Sequence, residues 1–266
     1  MKNYKIGFIG CGNMGGALAR AVAKAVDGQQ IAVNDYCIEK AQAFANECGA
    51  RVCSAQQIAK YCDFIVLGVK PQNMQETISA FAENLKANQN AAVITMAAGI
   101  SISAIRAFIG ADVPVIRIMP NTPALVGEGM ILYDCVGVSK QDEEAFKALF
   151  AKAGVLDKLA EDKIDAASAL SGCGPAFVYA FAEALADGAV ECGVPRDKAQ
   201  TYAAQTILGA GKMLLEFGHP ADLKDAVCSP GGTTIAGVHA LEKGGFRSAA
   251  MDAVFSAYKR TLELKK

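Results

Sequence analysis

The sequence predicts an α/β region, doubly wound around a mostly parallel sheet, over residues 1–160, followed by an all-α region over residues 161–266. Three observations predict it. Short β-branched runs alternate with amphipathic stretches through the first part of the chain, the pattern of parallel strands covered by crossover helices. A glycine triplet, Gly10, Gly12 and Gly15, directly follows the first of those runs. After Leu159 the β-branched runs stop and alanine-rich helical sequence takes over.

Strands are expected at residues 5–9, 31–34, 64–69, 92–96 and 115–119, with helices at 15–26, 38–48, 73–85 and 102–108. The strand candidates are apolar on both faces, as in a sheet covered on both sides. Residues 130–138 read as further strand and 141–153 as a further helix. In the second part the helical pattern breaks at Gly174-Pro175, Gly193-Val194-Pro195, His219-Pro220 and Ser229-Pro230-Gly231-Gly232. Helices so rich in small residues offer a surface on which a second copy could dock.

The 26 basic and 27 acidic residues leave a formal net charge of -1, which argues against nucleic acid or any partner held mainly through phosphate electrostatics. A small anion bound by a few placed groups remains open. Nine cysteines with no CxxC pair, and only His219 and His239, give no metal-ligand spacing; the odd count suits a reducing compartment. No uninterrupted apolar run reaches the roughly 18 residues of a membrane span. The first residues carry no apolar leader. A cytoplasmic protein without a membrane segment is expected.

In the run Gly10-Cys11-Gly12-Asn13-Met14-Gly15, Gly10 permits a tight turn, Gly12 lets backbone approach a pyrophosphate, and Gly15 lets helix and strand pack closely. The free N–H groups of the following helix face the phosphates. G-x-G-x-x-G alone is a weak signal, because glycines recur in turns. Here a strand precedes it, a helix follows, and Asn34 and the acid Asp35 close the second strand, which together make a Rossmann dinucleotide site. An acid at that position accepts from the ribose 2′-hydroxyl and favours NAD. Asn34-Asp35-Tyr36-Cys37 offers no arginine to a 2′-phosphate, the nearest cation being Lys40, so the residues lean towards NADH or dual use. Val69, Lys70 and Pro71 stand where the strand at 64–69 meets the crevice, although an ordinary strand-ending turn reads the same way. Ala97 and Ala98 offer small residues beside the nicotinamide.

Farther on, Val227-Cys228-Ser229-Pro230-Gly231-Gly232-Thr233-Thr234 places a glycine pair and threonines at the head of a helical run. Its N–H groups can cradle a small carboxylate, and a threonine hydroxyl can hold a ring nitrogen beside it. The same residues read equally as a helix start whose glycines merely turn the chain. Ser171-Gly172-Cys173-Gly174-Pro175-Ala176 invites a cysteine nucleophile, but no base stands near Cys173, which reads as a small buried filler. His219 reads as a turn residue and His239 as a helix-surface or interface residue, neither of them a general acid.

With these residues assembled, the chain resembles the pyrroline-5-carboxylate reductases from end to end. The likeness runs through residues 8–15, 69–72, 119–124, 171–176 and 229–234, and continues to Gly244-Gly245-Phe246-Arg247. It implies a Rossmann domain followed by a helical dimerisation domain that intertwines with a partner, giving a homo-oligomer built from such dimers. It implies NADPH as cofactor, with NADH also accepted, and reduction of the imino acid 1-pyrroline-5-carboxylate to proline, the last step of proline biosynthesis. By the same resemblance Val227, Ser229, Gly231, Gly232 and Thr233 hold the substrate, and Thr234 is the catalytic residue at the ring nitrogen. Tyr36 and Cys37 depart from the small polar or basic residues common after the second strand, and Cys173 from a more frequent serine. A β-hydroxyacid dehydrogenase would carry a lysine on the long helix opening the second domain, and residues 177–185 hold none. A catalytically silent dinucleotide-binding regulator is the rival from another class, and the intact 229–234 loop argues against it.

Overall fold

The computed structural model of the chain describes residues 4–264. The chain forms two compact units, one running through Cys173 and resuming at Tyr258, the other Gly174–Ala257. In the first unit the order is β1 (Tyr4–Ile9), α1 (Asn13–Ala23), β2 (Ile31–Asn34), α2 (Ile38–Cys48), β3 (Arg51–Val52), α3 (Ala55–Tyr61), β4 (Cys62–Leu67), α4 (Met74–Ser79), α5 (Ala82–Lys86) and β5 (Ala92–Thr95). Next come α6 (Ile102–Ile109), β6 (Val115–Met119), β7 (Gly129–Val136), α7 (Lys140–Phe150), β8 (Gly154–Lys158) and α8 (Glu161–Ser171).

The strands form one sheet in the order β3-β2-β1-β4-β5-β6-β7-β8. Pairing is parallel from β3 through β6, β7 runs antiparallel to β6, and β8 is parallel to β7. The chain builds outward in both directions from the β1–β4 pair, so strand order reverses there and a crevice opens beyond the carboxyl ends of those two strands. Side-chain alternation explains why the strands read as unbroken apolar runs. Phe64 and Val66 of β4 enter one core layer with Phe8, Leu18, Phe146 and Phe150. Ile65 and Leu67 enter the other, with Ile58, Met74, Phe81 and Ile105. Each face of the sheet is covered by helices, as parallel pairing requires.

Three elements lie outside the expected set: β3, α3 and β8. The α3 helix opens with a capping box in which Gln57 N donates to Ser54 Oγ at 3.2 Å and Ser54 N donates to Gln57 Oε1 at 2.9 Å. The helix expected over 73–85 is two helices, α4 and α5, separated where Phe81 turns its ring into the core at 1% exposure. The strand expected over 64–69 covers Cys62–Leu67, and Gly68 to Lys70 leave the sheet for a 3₁₀ turn, Pro71–Asn73.

Helical composition begins at 161, but α8 is held to the sheet unit. Arg117 on β6 and Asp165 on α8 are each 2% exposed, and Arg117 Nη2 donates to Asp165 Oδ1 at 2.6 Å. Arg117 Nη1 reaches Glu161 Oε1 at 3.4 Å, and that same oxygen accepts Ile102 N at 2.7 Å at the head of α6. Glu161 N donates in turn to Asp134 Oδ2 on β7 at 2.8 Å. The change of composition and the division by packing therefore differ by one helix.

The second unit holds α9 (Gly174–Glu191), α10 (Arg196–Phe217), α11 (Pro220–Val227) and α12 (Thr233–Lys243), and α13 (Phe246–Glu263) up to Ala257. Its buried cluster is small: Ala186 on α9 with Ala199 and Ala203 on α10. Large apolar side chains such as Leu215, Phe217, Met251 and Phe255 are exposed, so this unit does not bury its own helix faces. Within Glu161–Glu191 an 18-residue window of mean hydropathy 1.3 is long and apolar enough to cross a membrane by length and composition alone. Charge still interrupts the stretch, at Glu183 and Asp187, so it is not an uninterrupted apolar run of that length.

Removing Asp165 leaves the Arg117 guanidinium buried without its closest partner. Asp165→Ala is expected to destabilise the protein by about 3–5 kcal/mol. The double replacement Arg117→Met with Asp165→Leu should regain most of that loss, and thermal unfolding of the three proteins checks it.

Candidate active site

At the carboxyl end of β1 the backbone is carried beyond the strand by two further hydrogen bonds. Gly10 N donates to Asn34 O at 2.8 Å, and Gly68 N donates to Ile9 O at 2.8 Å. Gly10 has φ 100°, where side chains are strained. A Cβ on Gly15, in the first turn of α1, would collide with the Gly10 carbonyl oxygen, and so would a Cβ on Gly68. Loop, helix and strand are thus packed backbone to backbone. Gly12 differs. It is exposed, and a Cβ there would meet nothing of the protein within 4 Å, so the chain's own packing makes no demand for glycine at that position. A ligand approaching the backbone would. The head of α1 has neither a side-chain cap nor an acid in its first turn, which leaves its N–H groups for an anion.

Residues 12–15, 68–71 and 96–98 line a cleft of about 500 Å³. It brings together Gly12, Asn13, Met14, Val69, Lys70, Pro71, Ala97 and Ala98 from the expected cofactor set. Gly68 and Met96 also line it and were not anticipated. A glycine inside an apolar strand pattern, as Gly68 is, signals close backbone approach.

Asn34 and Asp35 do not line this cleft but bond to the glycine loop beside it. Asp35 Oδ2 accepts Cys11 N at 2.7 Å, and Asp35 Oδ1 accepts Cys37 N at 3.0 Å. The Asn34 side chain turns the other way, its Nδ2 donating to Cys53 O at 2.9 Å, so Asn34 meets the glycine loop through its carbonyl. The Cys11 thiol lies 3.6 Å from Asn34 O and is pushed up to about 11, first by burial and then by the Asp35 carboxylate. Tyr36 stands fully exposed beside these residues.

The second unit carries the Ser229–Thr234 segment. Gly232 N donates to Ser229 O at 3.0 Å, closing a turn with Pro230 and Gly231 at its centre, and Gly231 has φ 68°, as a type II turn requires. Gly232 then heads α12 in extended backbone with no side-chain cap, and Ser229, Thr233 and Thr234 are exposed. The glycines turn the chain and open a helix that has no side-chain cap over its first N–H groups. Val227, the last residue of α11, is exposed. Cys173 is exposed in the turn after α8, which corrects the expectation of a buried filler: two helix ends meet the surface there and leave no core to fill. His219 lies 3.8 Å from Asp222 in an exposed pair, and His239 is exposed on α12.

Residues 161–264 match the family model described as pyrroline-5-carboxylate reductase dimerisation, and residues 5–99 that described as NADP oxidoreductase, coenzyme F420-dependent. The chain is 41% identical over 264 residues to pyrroline-5-carboxylate reductase 3 of Danio rerio, covering 98% of this chain and 91% of that one. Among solved structures, a pyrroline-5-carboxylate reductase from Coxiella burnetii superposes with a TM-score of 0.91 at 31% identity, over 100% of both chains. The pyrroline carboxylate reductase of Plasmodium falciparum with NADP bound gives 0.84 at 31% identity, again over 100% of both.

Substitution at two glycines should separate packing from ligand approach. Gly15→Ala is expected to lower both thermal stability and nucleotide affinity, whereas Gly12→Ala should keep the melting temperature and weaken nucleotide binding by about tenfold or more. Calorimetry and thermal melts on the two variants check this. The raised Cys11 thiol should also resist alkylation. At pH 8 its thiolate is about a hundredfold scarcer than that of a thiol at the ordinary 9.0, and its reaction with iodoacetamide should climb with pH until about 11, as peptide mass spectrometry would record.

Proposed function

The chain belongs to the pyrroline-5-carboxylate reductase family, and from that premise we infer that it reduces 1-pyrroline-5-carboxylate to proline, the last step of proline biosynthesis, with NADPH as donor and NADH also accepted. One observation carries this reading. A single chain holds both an open glycine cradle at the head of α1 and an uncapped, glycine-turned helix head at Ser229–Thr234, in the order the family has them.

When bound, NADPH supplies the hydride. The chain's residues bind and orient. Gly10 to Met14 present backbone to the diphosphate, Asp35 shapes that loop and faces the ribose with Asn34 behind it, and Val69, Lys70, Pro71, Ala97 and Ala98 line the rest of the cleft. In the helical unit, the N–H groups of Gly231 and Thr233 and the Ser229 hydroxyl receive the substrate carboxylate, Gly232 shapes that turn by donating its own N–H to Ser229 O, and Val227 stands beside them. The Thr234 hydroxyl meets the ring nitrogen, orients it and supports its protonated state. A protonated cyclic imine is already electrophilic, so orientation and exclusion of water supply most of what the reaction needs, worth about 7 kcal/mol or more when well achieved. No strong acid need stand nearby, which fits a chain whose two histidines, His219 and His239, are both exposed.

The exposed apolar faces of α10 and α13 support assembly as an intertwined dimer of the helical unit, within a larger homo-oligomer. The near-balanced charge supports a small imino acid as the partner and speaks against nucleic acid. Kinship with bacterial and archaeal enzymes of the same family supports a cytoplasmic setting.

Purified protein should oxidise NADPH, and NADH, only when racemic pyrroline-5-carboxylate is added. Cofactor binding without imine-dependent oxidation would instead make it a silent regulator. Thr234→Ala is expected to lower turnover by about tenfold or more, the scale of one directional hydrogen bond, while NADPH affinity stays as it was. Unchanged turnover would remove Thr234 from the mechanism.

A further inference from the structure

Asp35 is fixed in place. Its two oxygens are held by backbone N–H groups from either side, Cys11 of the glycine loop at 2.7 Å and Cys37 at the head of α2 at 3.0 Å. Each oxygen keeps a second lone pair, so the carboxylate can still accept from a ribose 2′-hydroxyl. An ionised 2′-phosphate offers no donor there and brings close to two negative charges. Little around Asp35 offsets them. Arg20, whose charge is felt at the Cys11 thiol, is committed to Glu47 through a two-pronged pair at 2.7 and 2.8 Å. Glu39, at the head of α2, accepts the Cys37 thiol and adds a second acid on that side. Lys40, the nearest cation in sequence, lies exposed on α2.

We propose that Asp35 is the residue that sets the balance between the two cofactors: locked against the glycine loop, its carboxylate keeps NADH usable and opposes the 2′-phosphate of NADPH. This rests on the reading of the first unit as a dinucleotide site. The anchoring explains why the effect is not relieved by a shift of the side chain. Moving the carboxylate away would release the Cys11 and Cys37 N–H groups that shape the loop itself. The penalty is therefore built into the loop that binds the diphosphate.

The test separates the adenosine end from the chemistry. The full-length protein is titrated calorimetrically with ADP-ribose and with ADP-ribose 2′-phosphate, which lack the nicotinamide, and the ratio of their dissociation constants is compared with that of two variants. Asp35→Asn removes the charge and keeps an oxygen for one of the two N–H groups. Tyr36→Arg adds a cation at a fully exposed position and leaves both Asp35 bonds intact, so it carries the test if the first variant fails to fold. Each variant should shift the ratio towards the 2′-phosphate by about tenfold, the weight of one charge at close range. The NADPH-to-NADH ratio of kcat/KM should move in the same sense. Ratios unchanged within about twofold in both variants would overturn the proposal while leaving the reductase reading intact. Failure of the wild-type protein to bind either ligand would overturn the dinucleotide reading, and this proposal with it.

Discussion

Loop, helix and strand meet at the carbonyl of Gly10. The glycine loop turns there, α1 packs against it through Gly15, and the backbone leaving β4 presses on it through Gly68. No side chain intervenes. Because β1 and β4 are the strands from which the sheet grows in both directions, this junction fixes where the crevice opens and where the head of α1 points. A methyl group at Gly15 or Gly68 would push helix or strand away from the carbonyl and carry the α1 N–H groups with it. Asp35 reinforces the same arrangement from β2 by holding Cys11 N. The cofactor end is therefore a property of backbone packing first and of side-chain chemistry second.

The helical unit obeys a different constraint. Its buried cluster consists of small residues, while Leu215, Phe217, Met251 and Phe255 stay exposed. A set of helices with so little interior gains its stability by covering those faces, which is what the match to a dimerisation model over residues 161–264 describes. The sheet unit is self-sufficient by comparison, with two continuous core layers and a buried Arg117–Asp165 pair that fastens α8 to it. Where one kind of stability gives way to the other, composition and packing disagree by one helix. A buried arginine on β6 reaches 48 residues ahead to claim a helix whose sequence texture is that of the helical unit.

How much of this was legible depended on whether the signal was local. The strands β1, β2, β5 and β6 are short apolar runs, and the glycine fingerprint is contiguous, so both could be read directly. β3 is two residues long and pairs only with Ala32 and Val33, and β8 is a half-exposed edge, so neither leaves an apolar run. α3 is brief, yet its Ser54-to-Gln57 capping box was present in the sequence as a start signal. The break between α4 and α5 depends on Phe81 finding the core, which no local pattern reveals. Among site residues, the fold rule places Asp35 at the end of β2 but does not foresee its bonds to Cys11 N and Cys37 N, and the role of Gly68 needed the observation that its neighbour in space is Gly10.

The two segments we propose as ligand cradles share one feature, a helix head without a side-chain cap after a glycine turn: α1 after Gly12 and α12 after Gly232. In the proposed function backbone N–H groups do the recognising, so the side chains between the glycines are under little chemical demand. That is why cysteine is tolerated at position 11, inside the phosphate loop. The burial and the Asp35 charge that raise its thiol also keep it protonated and unreactive at neutral pH. It also explains why a chain with only two histidines, both exposed, can serve an imine reduction. Once substrate and donor are held by fixed dipoles, the protonated ring nitrogen needs an orienting hydroxyl more than it needs an acid. The side chains that remain decisive are those that touch charge the backbone cannot sort, and Asp35 is the one we propose for that position, since its carboxylate is held in place by Cys11 N and Cys37 N.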